Sequence, residues 1–210
     1  MNENLLVVCA KNSLCEVLLK YAEEKEDKVF FVKEGTENGW NKASPISARS
    51  NILQSKNLLG EYNKAFIVFD SRDFIHYSSY DVETISKGID SMILGYSYFT
   101  AELLKQFSEQ GFGELIFVLL DDEKREKSII ENVGTSGFVS LAESVAEKKA
   151  SKQLTVTLIK SDWENFENNL EWLFSYLDNF NAKKAAAMPK HASRWVKVGS
   201  KTPIMLPFLK

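Results

Sequence analysis

The sequence predicts a three-layer α/β fold, a doubly wound parallel sheet with helices on both faces. Three observations carry that expectation. Short apolar runs alternate with helix-period segments along the whole chain. Within the runs, successive residues are all apolar, the pattern of strands covered on both faces. Each run is separated from the next by enough chain for a crossover, and right-handed crossovers between parallel strands produce the doubly wound arrangement. With 210 residues, 44% hydrophobic and 26% charged, the chain can bury a substantial core without staples. No repeat or composition break divides it. It is expected as a single domain over 1–210, with the tail of about 185–210 packing a last strand and an apolar end.

The elements follow in order. Leu5 to Ala10 is an apolar strand. Ser13, with Glu16 three residues on, forms a capping box for a helix carrying Leu14, Val17, Leu18 and Tyr21 on one side. Val29–Val32 is the second strand. The polar stretch with Gly35, Gly39 and Pro45 reads as loop, and Ala48 to Leu59 as helix. Ala65–Phe69 is the third strand, ending in the turn Asp70-Ser71-Arg72-Asp73. Lys87 to Gln110 has a helical stripe of Met92, Tyr96, Phe99, Leu103 and Phe107, stopped by Gly111. Leu115–Leu120 is the most apolar strand. Asp121 to Lys127 is a solvated charged loop. A helix over Thr135–Lys149, a strand over Leu154–Ile159, a helix over Glu164–Asn179 and a strand at Trp195–Val198 complete the series, before the apolar tail Ile204–Leu209.

Composition excludes several function classes. A net charge of −3 with no basic face gives no nucleic-acid footprint. No run approaches the roughly 18 apolar residues of a membrane span, and the segment MNENLLVVCA has no cationic start. The expectation is a cytoplasmic protein whose two cysteines, Cys9 and Cys15, are reduced thiols. His76 and His191 are far apart and lack metal-ligand spacing, so no metal site is expected. Nor is there a P-loop or a nucleophile elbow.

In the second half, "MILGYSYFTAELLKQFSEQGFGELIFVLL" places Gly95 like the glycine of a central-helix pattern Asn-Leu-x-Gly. "SLAESVAEKKASKQLTVTLIKSD" and "LEWLFSYLDN…SRWVKVG" follow as helix–strand pairs at the matching spacing. This order resembles the short-chain dehydrogenase/reductase family over nearly the whole chain. The resemblance implies a Rossmann-like sheet, NAD(P) binding and carbonyl chemistry.

The residues that would perform that chemistry are missing. The family's glycine-rich turn lets the backbone approach a pyrophosphate at a helix N-terminus. Here the turn is Ala10-Lys11-Asn12-Ser13-Leu14-Cys15-Glu16, without glycine. Lys11, Asn12 and Ser13 remain as candidates for holding some other anion. After the third strand, Asp70-Ser71-Arg72 replaces the family's Asn-Asn-Ala-Gly. The family's asparagine position holds Met92, its serine position falls at Leu119-Leu120-Asp121, and no Tyr-x-x-x-Lys pair occurs around Ile129 to Thr135. Tyr21 and Lys25 match that spacing literally, but on the first helix, outside the structural context that gives it meaning.

The expected function is therefore that of a non-catalytic reductase homologue, a structural or regulatory subunit. It would work as a homo-oligomer or beside an active relative, and no cofactor is expected. Tyr96, Phe99, Leu103, Phe138, Leu141 and Val145 are the expected interface, because the family pairs these two helices across a two-fold axis. The alternatives are an atypical NAD(P)-dependent oxidoreductase with relocated residues, and a small-molecule-binding protein on the same fold.

Overall fold

A computed structural model describes residues 4–10, 14–25, 28–34, 39–184 and 194–200. Six strands form one sheet: β1 (Asn4–Val8), β2 (Lys28–Val32), β3 (Lys64–Asp70), β4 (Gly113–Leu120), β5 (Leu154–Ser161) and β6 (Val196–Lys197). Their spatial order is β2-β1-β3-β4-β5-β6 and every pairing is parallel. The winding direction reverses between β1 and β3, so the switch-point crevice lies at their carboxyl ends.

Alternate strand residues feed two cores. Leu6, Val8, Ile67, Phe69, Phe117 and Leu119 face one layer of helices: α2 (Pro45–Leu59), the pair α3 (Val82–Ile89) and α4 (Gly95–Gln110), and α5 (Ile129–Lys149). Leu5, Val7, Phe66, Val68, Ile116 and Val118 face the other: α1 (Leu14–Glu24), α6 (Trp163–Glu167) and α7 (Leu170–Lys184). Both faces of each central strand are dry, which is why the sequence shows continuous apolar runs instead of alternation.

Helix boundaries differ from the sequence expectation where caps decide them. Ser44 caps α2, accepting from the Ser47 amide at 3.2 Å with Pro45 in the first turn, so the helix starts three residues early. The long helical pattern begins at Val82, capped by Asp81, and is interrupted by a π-helical turn over Asp90–Leu94 between α3 and α4. Ser128 and Glu131 form a capping box that starts α5 six residues early, and Ser128 Oγ also donates to Tyr77 O at 2.8 Å. The expected helix after β5 is split into α6 and α7 around Asn168 and Asn169. The expected cap at Ser13 and the apolar end Ile204–Leu209 lie outside the described residues.

The cysteine expectation is corrected: Cys9 is disulfide-bonded, not a free thiol. It sits just past β1, fully buried.

Two glycines mark close approaches that position the site. A Cβ on Gly95 would stand 2.7 Å from Lys42 Cβ and 3.0 Å from its Cα, so the segment before α2 lies directly on α4. A Cβ on Gly134 would meet Met92 Sδ at 2.4 Å, so Met92 sits against the α5 backbone. Gly95→Ala should therefore push the 39–44 segment off α4 and lower stability by about 1–3 kcal/mol, read as a drop in urea midpoint at unchanged slope.

Candidate functional site

The carboxyl ends of the strands carry a network of paired charges. At the end of β2, Glu34 forms an isolated bridge with Trp40 and accepts an ion pair from Lys42 at 2.9 Å. Lys42 is buried to about 5% exposure. Its ammonium lies 4.7 Å from the Phe74 ring and 5.3 Å from the Trp40 ring, so aromatic faces replace part of its hydration. Trp40 is locked edge-on to Tyr96 and Phe99, each at 5.1 Å.

At the end of β3, the buried Asp70 carboxylate caps the 3-10 turn Ser71–Phe74 through the Arg72 amide at 2.9 Å. It also takes the Arg72 guanidinium in a fork, with Nη2 at 2.6 Å and Nε at 3.1 Å. The guanidinium in turn stacks 3.8 Å from the Trp163 ring centre. Arg72 thus bridges from the end of β3 to the residue opening α6 beyond β5, across the end of β4. Burial and the neighbouring Asp70 push the Asp73 carboxyl up to about 7, with Lys42 and Arg72 pulling the other way and Glu34 adding to the rise.

Beneath this layer the space is apolar. Phe69 packs with Phe74 and Phe138 at 4.9 Å each and with Tyr96 at 5.3 Å; Phe117 closes on Phe138 at 5.9 Å. The Tyr96 hydroxyl donates to Val68 O at 3.2 Å, and burial holds its pKa well above the phenol value. Met92, at the position read as the family's asparagine, is about 1% exposed between Gly88 and Gly134. The segment after β4, where the serine was sought, is occupied by ion pairs: Asp121 with Lys127, Glu123 with Lys160 at 3.5 Å, and Arg125 with Glu131 at 2.7 Å.

Two adjoining hollows open at this edge. One of about 360 Å³ is lined by Trp40, Asn41, Tyr77, Lys87, Asp90 and Ser91, with Glu34, Lys42 and Ala43. The other, about 280 Å³, reaches from Ala10 to Asp73 and His76 and shares Glu34, Lys42 and Tyr77. Tyr77 and Ser91 join their hydroxyls at 2.9 Å.

The anion candidates Lys11, Asn12 and Ser13 lie outside the described residues, as does His191. Tyr21 is on α1 on the opposite face of the sheet, stacked on Phe174 at 4.5 Å, and Lys25 lies in the turn just after that helix. Among the described residues no group of three His, Cys, Asp or Glu side chains is placed to hold a metal, and no helix is long and apolar enough to cross a membrane.

The stripe expected at an interface needs correction. Tyr96, Phe99, Leu103, Phe138 and Val145 are buried within this chain against its own sheet, and Leu141 packs partly buried beside them. A helix lying on a sheet buries its apolar face there, so these side chains are not surface. The outward residues of α5 include Ile129 and Val133, about half exposed, and Tyr80 and Val82, beyond the Tyr77 carbonyl that Ser128 holds, are exposed as well. Trp40 and Lys42 were missed because the 33–47 stretch reads as polar loop, and Asp73 because the charged turn after β3 reads as solvated. A lone tryptophan among glycines and lysines there was the available signal.

No family model matches the chain. It is 27% identical over 197 residues to an uncharacterized protein of Treponema pallidum, covering 91% of this chain and 85% of that one. Among solved structures it is similar to a 3-ketoacyl-(acyl-carrier-protein) reductase from Brucella melitensis complexed with NADH (TM-score 0.66, 9% identity, covering 93% and 96%). It is also similar to an apo SCOR enzyme from Clostridium thermocellum (TM-score 0.63, 12% identity, covering 94% and 91%). A short-chain type dehydrogenase/reductase from Mycobacterium marinum gives 0.58 at 12% identity, covering 81% and 78%. The fold is that of the short-chain dehydrogenase/reductases.

The raised Asp73 carboxyl makes a pH prediction. The native state holds a proton that the unfolded chain releases near 3.8. The associated stability is fully present below that value and is lost as pH rises through about 7. Asp73→Asn should match wild type near pH 4 and be more stable by on the order of 2 kcal/mol above pH 8, measured by urea unfolding across that range.

Proposed function

We propose that this chain is a non-catalytic protein on the short-chain dehydrogenase/reductase fold, serving as a structural or regulatory subunit in a homo-oligomer or beside an active reductase. The observation that carries the reading is Met92 seated on Gly134. The two helices that resemble the family's catalytic pair meet at that point through a thioether and a bare backbone, where the resemblance would place an asparagine.

The cofactor is judged on the residues present. The implied dinucleotide would cross the switch point and reach the end of β4. Along that path, Lys42 lies on Gly95 and the Arg72–Trp163 stack spans the strand ends. Moving the Arg72 guanidinium aside would also pull it from its fork on the buried Asp70 carboxylate, which is costly. The residues do not fit the cofactor, and no hydride-transfer step is derived from them.

A partner would meet the outward side chains of α5 and the segment before α3, not the buried stripe. Isologous pairing would bring Ile129 and Val133 of two copies together.

Two outcomes are expected. NADH and NADPH fluorescence titrations should show no saturable binding, with no turnover of carbonyl substrates; micromolar binding with turnover would overturn the reading. The purified chain, alone or mixed with a reductase partner recovered from its source cells, should run as an assembly. Val133→Arg should then weaken association about tenfold or more at unchanged thermal midpoint, read by sedimentation.

A further inference from the structure

At the β2 side the sheet ends on an open edge. β2 is the outermost strand there and pairs with β1 alone. Along a strand, successive residues aim their N–H and C=O groups to opposite sides in the plane of the sheet. The Val32 carbonyl accepts from the Cys9 amide just past β1 at 3.2 Å, so Val32, Phe30 and Lys28 face β1. The Lys33 carbonyl accepts from the Trp40 amide at 2.8 Å on the other side. Val29 and Phe31 therefore aim their backbone groups out of the sheet, where no described residue meets them. The open stretch is Lys28–Val32, closed at its carboxyl end by the segment that carries Trp40. The side chains of Val29, Phe30 and Phe31 are only half buried. An unpaired edge is a template for another strand, and proteins commonly blunt it with proline or a bulge. β2 has no proline, and its register with β1 runs without a bulge.

This edge is complementary to itself. Its outward residues, Val29 and Phe31, stand symmetrically about Phe30. Laid antiparallel on a second copy with a two-fold axis at Phe30, Val29 of one copy faces Phe31 of the other, and the pair exchanges both N–H···O bonds. Phe30 then faces Phe30 across the axis, in the kind of pair where side chains approach most closely. Lys28 faces Val32, and its diagonal neighbour on the same sheet face is Glu34 of the second copy, within reach of long side chains. The charges suit that placement. Lys28 is exposed with no carboxylate partner among the described residues, and Glu34 gives Oε2 to Lys42, leaving Oε1 for another donor. A two-fold at Phe31 would instead drive Val29 onto Lys33, whose carbonyl Trp40 already holds.

We propose that two copies of this chain join through β2, antiparallel about a two-fold axis at Phe30, so that one sheet runs through both. The pairing is isologous and closes on itself, as most homo-oligomer contacts do. It is a different surface from the outward side of α5, which packs on β5 towards the other end of the sheet. The inference goes beyond the subunit reading, which does not depend on this edge.

The test is amide hydrogen exchange on the full ¹⁵N-labelled chain at low and high micromolar concentration, beside sedimentation of the same samples. The Phe30 amide, which faces β1, should be protected at both concentrations. The Val29 and Phe31 amides should exchange about tenfold or more slowly once the chain dimerises. Val29→Pro removes an outward donor and leaves the ladder to β1 intact, since edge strands accept proline. It should weaken the dimer about tenfold or more at an unchanged thermal midpoint. Lys28→Glu, which sets like charge against Glu34 of the second copy, should weaken it in the same direction, and carries the test if Val29→Pro does not fold. A chain that stays monomeric throughout overturns the proposal, as do Val29 and Phe31 amides that exchange equally fast at both concentrations. So does a dimer that both variants leave undiminished. A dimer that Val133→Arg dissolves and Val29→Pro spares supports the α5 face and overturns this edge, so the two can fail independently.

Discussion

The contact of Lys42 with Gly95 organises the carboxyl edge of this protein. Gly95 has no side chain, so the backbone of Lys42 can lie on α4. Once there, the Lys42 ammonium is carried among aromatic rings, where it survives only because Glu34 pairs with it and the Phe74 and Trp40 faces attend it. That fixes Trp40 against Tyr96 and Phe99 and closes the top of the core. It also sets three carboxylates, Glu34, Asp70 and Asp73, near two cations, Lys42 and Arg72. The excess of negative charge, added to burial, is why Asp73 resists ionising.

A second close approach shapes the middle of the carboxyl edge. In an α/β sheet of this topology the crevice at the carboxyl ends is the natural ligand site. Here the centre of that crevice is a packed aromatic cluster around Phe69, with Met92 keyed into Gly134 below it. The Arg72 stack on Trp163 spans the end of β4. Two hollows stay open at this edge, one between the 39–44 segment and the π-helical turn and one from Ala10 to Asp73 beside the switch point.

Much of the fold was legible in the sequence. The four inner strands appear where continuous apolar runs place them, because a strand buried on both faces has little freedom in composition. Helix starts were less legible: Ser44, Asp81 and Ser128 set them through caps that precede the apolar pattern. The stripe of Tyr96, Phe99 and Leu103 was not resolvable, because an apolar helix face reads the same whether it meets its own sheet or another subunit.

The sequence by itself determined the layered parallel sheet, a property of local composition and order. Only the tertiary structure decided what stands at the carboxyl edge of that sheet. Trp40 and Lys42 come from a stretch that reads as polar loop, and nothing local predicts a lysine buried to about 5%. That burial is set by long-range contacts: Gly95 fifty-three residues away, by the difference of their numbers, and Phe74 from beyond β3. The pairing of Glu34 with Lys42 and of Tyr77 with Ser91 is likewise a product of how distant segments meet.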